Sequence, residues 1–133
     1  MSARWVLYVA LFVAGCGGVP KAQVVADARA KLHQAMAEPV ATRDERDRLS
    51  RLMLDEVDEA ELEHMSVDEV QAQFGQGNLC RTEPVCVKNG FGGDDLFYPV
   101  GVAQNDTIKQ LPTVVFGFDG HGRVQRVFTL KTH

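Results

Sequence analysis

The stretch PTVVFGFDGHGRVQRVFTLKT, residues 112–132, decides how this chain folds. Two apolar runs flank Asp119-Gly120-His121-Gly122, a turn-rich connection of the kind that joins antiparallel strands. Val114, Phe116 and Phe118 alternate along the first arm, which marks one buried face. Val124, Val127 and Leu130 on the second arm break strict period two, and a bulge or burial on both faces accounts for that. Upstream, DDLFYPVG reads as another strand, with Leu96 and Tyr98 on one face and Phe97 on the other. PVCVKNG reads as a short first strand stopped by Asn89-Gly90. About three strands in a meander need helical cover to be stable.

That cover is written ahead of the strands. In EHMSVDEVQAQFG, Ser66 stands three residues before Glu69, a capping box, and Met65 is placed to staple against Val70. Val67, Val70 and Phe74 share a face, and Gly75 supplies the stop. Further upstream, KAQVVADARAKLHQAMA places Val24, Val25, Ala28, Leu32, Ala35 and Met36 at helical spacing. Pro39 interrupts, and Thr42-x-x-Glu45 opens a second helix with Leu49, Leu52, Met53 and Val57 in one stripe. This pair reads as a hairpin, as a stalk, or as part of the fold itself. The expected class is α+β: N-terminal helices, a short capped helix, and a roughly three-stranded antiparallel sheet with helices on one face.

At 133 residues, with 45% apolar and 24% charged side chains, the chain has the composition of one ordinary globular domain. A formal charge of -4 offers no basic face for nucleic acid. The longest apolar run, residues 5–14, is too short to span a bilayer, which takes roughly 20 residues. With Arg4 at its start and small residues after it, the run has the pattern of an exported leader. The quartet Val13-Ala14-Gly15-Cys16 resembles the lipobox of bacterial lipoproteins. The resemblance implies cleavage before Cys16, a diacylglycerol on its thiol, an acylated amino terminus, and no other cofactor. Several acyl chains on one residue give durable anchoring. Gly17 follows, not the aspartate that retains such proteins at the inner membrane, so the resemblance favours the outer membrane facing the periplasm. The expected organisation is a leader over residues 1–15, a tether over 16–21, a helical segment over 22–60 and an α+β domain over 61–133.

Removing the leader sets Cys16 apart and leaves Cys80 and Cys86 as an even pair. In an oxidising compartment a disulfide is their expected state. Their C-x5-C spacing lacks the further ligands of a zinc site, since His64 and His121 are distant in sequence. Closing so short a loop contributes about 2 kcal/mol.

Taken together, EHMSVDEVQAQFG, the aromatic LFYPV and TVVFGFDGHGRVQRV resemble the BamE/SmpA-like family of small bacterial lipoproteins. That family carries a Gly-Met-Ser/Thr-x-x-Glu-Val-x-x-x-Leu-Gly-x-Pro pattern and ends in a hairpin whose turn contains Asp and Gly. Met65, Ser66, Glu69, Val70 and Gly75 match, while His64 stands for the glycine and Phe74 for the leucine. Gln76-Gly77 replaces the usual x-Pro, and the insertion from Cys80 to Cys86 has no counterpart. The resemblance covers about half the chain, residues 62–130, and its matched positions are capping and packing residues. It implies a protein-binding role in outer-membrane assembly or maintenance. Similar folds serve as inhibitors, so a periplasmic inhibitor or sensor module is the alternative.

Chemistry is weakly encoded. His33 has no histidine or acid one helical turn on, and His121 sits in a turn between glycines; His64 and His133 complete the set. Asp94-Asp95 follows glycines but has no lysine or helix behind it, so NGFGGDD is not a phosphate loop. An enzyme built on Asp94, Asp95 and His121 is the lowest-ranked reading. Residues 55–69 hold eight acidic side chains and no Lys or Arg, a solvated face or a docking surface for a basic partner. They lack the spacing of a calcium loop. The expected partners are the membrane, through Cys16, and an envelope protein, with neither a metal nor a small-molecule substrate called for.

Overall fold

Both capping boxes form, and they set the start of two helices in the computed structural model, which describes residues 18–132. Thr42 accepts from the Glu45 N–H at 3.1 Å, while the Glu45 carboxylate accepts from the Ala41 and Thr42 N–H groups at 2.9 Å each. Ser66 and Glu69 repeat the exchange at 3.1 and 2.8 Å. These backbone donors hold both glutamates below the usual carboxylate range. The helices are α1 (Lys21–Met36), α2 (Arg43–Glu59), α3 (Val67–Phe74) and α4 (Pro84–Lys88). The strands are β1 (Pro39–Val40), β2 (Asn78–Leu79), β3 (Leu96–Pro99), β4 (Val102–Ala103), β5 (Thr113–Phe118) and β6 (Val124–Leu130).

The main sheet has four antiparallel strands in the order β2-β3-β5-β6, so the fold is α+β. One strand more than the sequence shows is present, because β2 is a two-residue segment with no periodicity to read. The β5–β6 hairpin forms, and its register shifts between Gly117 and Phe118, leaving Gln125 unmatched. This bulge brings Val124 and Val127 to the same face, while Leu130 lies on the opposite one, so both causes break period two on the second arm. A two-residue parallel bridge, Pro39 to Val102 and Val40 to Ala103, ties the α1–α2 connection to the chain leaving β3.

PVCVKNG is not a strand: Pro84–Lys88 is α4. Pro84 sits at the helix start, where its fixed φ and missing N–H cost nothing. An extended segment would also carry Cys86 about 20 Å from Cys80, whereas their Cα atoms lie 5.6 Å apart.

One face of the sheet presents Leu96, Tyr98, Val114, Phe116 and Val124 to the helices. Ala28 and Leu32 of α1, Leu49 and Met53 of α2, and Val70 and Phe74 of α3 close over them, so the N-terminal pair is part of this core. At its centre Phe116 packs edge-on to Tyr98, centroids 5.5 Å apart, and tilted against Phe74 at 5.9 Å. The Tyr98 hydroxyl donates to the Gly75 carbonyl at 2.8 Å. Burial pushes its pKa up to about 12, which keeps it a neutral donor.

The start of α3 and the hairpin turn are bonded to each other. Val124 donates to Met65 and accepts from His64, and Val67 donates to Gly122. Asp119 organises the turn, its carboxylate accepting from the His121 and Arg123 N–H groups at 2.8 and 3.0 Å. His64 adopts φ +73°, a region that favours glycine, at the position where the resembled pattern has glycine.

Candidate functional site

The second face of the sheet is covered by the excursion between β2 and β3. Cys80 and Cys86 are fully buried, with their sulfurs at bonding distance as a disulfide. They pack with Phe91 and Val115, and Val85, Phe97 and Phe128 close the edges. Gly117 is the close approach, since a Cβ there would meet Phe91 Cε1 at 2.9 Å. The Arg126 guanidinium lies 3.8 Å from the Phe91 ring centroid and lids this small cluster. The staple therefore secures a second hydrophobic layer. Replacing both cysteines by serine is expected to lower unfolding free energy by about 2–3 kcal/mol, loop closure supplying most of it. Urea unfolding of the oxidised wild type beside the Cys80→Ser, Cys86→Ser variant checks this, and coincident midpoints would refute it.

Cys16 and His133 lie outside the described residues. His33, His64 and His121 are exposed, and no hydrogen bond among the described residues joins them. Asp94 is exposed, while both oxygens of Asp95 are engaged: one accepts from Gly92 at 2.8 Å, the other from Phe118 at 3.0 Å. Asp95 locks the loop against the end of β5, and no hydrogen bond among the described residues joins Asp94, Asp95 and His121. Among the described residues no three His, Cys, Asp or Glu side chains converge as metal ligands. No described helix is long and apolar enough to cross a membrane.

What the fold does assemble is an open strand edge beside an acidic wall. Phe118 gives its N–H to Asp95 on the β3 side, so the antiparallel alternation turns Gly117, Val115 and Thr113 towards β6. Opposite them, Arg126, Phe128 and Leu130 bond back to β5. The N–H and C=O groups of Val127 and Thr129 therefore point outward, and no described backbone segment pairs with them. Val124 is different, because the segment at His64 and Met65 already fills its outward positions. The opposite edge, β2, is blunted to Asn78 and Leu79.

Along the β6 edge runs a groove of about 480 Å³, lined by Gln125, Arg126 and Val127 on one side. Val57, Asp58, Glu61, Leu62 and Glu63 form the other. The acidic stretch thus lies beside the unpaired strand. Its placement runs against helix stability: Asp55, Glu56, Asp58 and Glu59 crowd the C-terminal end of α2, which has no basic residue in its last turn. Carboxylates at that end oppose the helix dipole. Relief comes from α1, where Arg29 donates to the Ala60 and Glu61 carbonyls at 2.8 Å each and Lys21 pairs with Glu61 at 2.8 Å.

Sequence reading found the acidic residues but not the edge, whose one local signal is the irregular period of β6. Set against known proteins, the chain matches no family model, no curated protein and no solved structure.

Proposed function

We propose that this chain is a lipid-anchored bacterial cell-envelope protein whose α+β domain binds another protein, in the assembly or maintenance of the outer membrane. The observation that carries the reading is the lipobox-like Val13-Ala14-Gly15-Cys16, with only four residues between it and the start of α1 at Lys21. The five steps from Cys16 to Lys21 reach at most about 17 Å, so an anchor at Cys16 holds the domain close to the lipid surface. A disulfide that secures part of the fold suits an oxidising compartment outside the cytosol. The unpaired edge and its groove support binding as the activity, as does the resemblance to envelope lipoproteins.

The test is detergent-phase partitioning of the full chain expressed in a diderm bacterium. The wild-type chain is expected in the detergent phase and Cys16→Ala in the aqueous phase; equal partitioning of the two overturns the anchor. Crosslinking in intact envelopes addresses the second half: an envelope protein joined to the domain supports it, and a domain that crosslinks to no protein overturns it.

A further inference from the structure

We propose that the open edge of β6 accepts an extended segment of a partner protein as a fifth strand, and that this segment carries basic side chains at alternate positions. This deepens the protein-binding reading and rests on it, but not on the lipid anchor. The backbone argument comes first. Val127 and Thr129 aim two N–H and two C=O groups away from β5, and no described segment meets them. An unpaired edge of this kind is a template for strand addition. The chain already uses the same device one step along, where His64 and Met65 take both outward groups of Val124. An incoming strand continues that line across Gln125 to Leu130.

Charge sets the occupant. In a strand beside Val127 and Thr129, alternate side chains turn to the α2 side, where Asp58, Glu61 and Glu63 line the groove around Val57 and Leu62. Lysine or arginine there meets carboxylates, of which, among the described residues, only Glu61 has an ion-pair partner, Lys21. Among the described residues the one cation lining the groove, Arg126, is held over the Phe91 ring on the other face. The intervening side chains turn to that other face, beside Phe128 and Leu130, and suit apolar residues. Four acidic groups at the C-terminal end of α2 are otherwise unexplained, because helix stability alone disfavours them. Binding to a basic strand gives a use to the one that lines the groove, Asp58, together with Glu61 and Glu63 beyond the helix end.

The experiment selects from a displayed library of fully random nonapeptides against the full chain in detergent micelles, followed by synthesis of the enriched peptides. Enriched sequences are expected to alternate Lys or Arg with β-branched or aromatic residues. Methylating the backbone nitrogens that face β6 should abolish binding, while methylating the intervening ones should not. Bound peptide should slow amide hydrogen exchange at Val127 and Thr129. The double variant Asp58→Lys with Glu63→Lys alters two exposed residues whose side chains make no hydrogen bond among the described residues. It should weaken binding at least tenfold yet raise the melting temperature by about 2–4 °C, because it relieves the helix end. A merely structural role for these acids predicts no such opposition.

No enrichment, enriched peptides without alternating basic residues, or binding indifferent to backbone methylation overturns the proposal. An envelope partner crosslinked through another face overturns it while leaving the protein-binding reading intact. Soluble behaviour of the wild-type chain sinks the anchor and leaves the edge untouched.

Discussion

Phe116→Ala is expected to cost about 3–5 kcal/mol, the upper range for a buried aromatic. The ring is fully buried on the central strand β5 and touches both Tyr98 and Phe74. Truncation leaves a cavity bounded by sheet on one side and α3 on the other, and neither can collapse into it. Against a typical total of about 5–15 kcal/mol the loss is a large share of stability. The expected drop in melting temperature is about 10–20 °C, read by circular dichroism. A loss below about 1 kcal/mol would mean that the aromatic cluster is not the centre of the core.

Gly101→Ala is expected to cost about 2–4 kcal/mol, from two causes that act together. The residue is buried at φ +110°, a conformation that side chains rarely adopt. An added Cβ would also lie 2.7 Å from Val40 Cγ2 and 3.0 Å from Leu49 Cδ1, inside the packed core. Relief requires moving the parallel bridge between β1 and β4, which hangs on Val102 N–H to Glu38 and Gln104 N–H to Val40. Gly120→Ala is the control. That glycine is in the hairpin turn with open space around it, so its unfolding midpoint should stay within about 0.5 kcal/mol of wild type. Equal effects at the two positions would refute the packing account.

Legibility followed sequence distance. The two capping boxes, the α3 stop and the β5–β6 hairpin are each specified within fewer than twenty residues, and each forms. Val85, Cys86 and Val87 look like a strand because β-branched residues favour one. Their conformation is set instead by a covalent link to Cys80 and by Phe91 and Phe97 packing around it, which no local period records. The two-residue strands β1, β2 and β4 exist only through their partners. The candidate site shows the same division. Residues 55–69 announce their charge, but the exposure of the edge beside them depends on nothing pairing with Val127 and Thr129, which is a property of topology.

The strand order also governs when the fold can exist. β3 and β5 are the two interior strands, and β3 has only the two-residue β2 on its other side. Until Thr113–Phe118 is available, the apolar faces of α1 and α2 have no sheet to close upon, and the start of α3 lacks the turn at Gly122 that anchors it. Such non-local closure delays folding until distant segments meet. Closure of the core therefore waits on a strand that begins more than fifty residues after α2 ends.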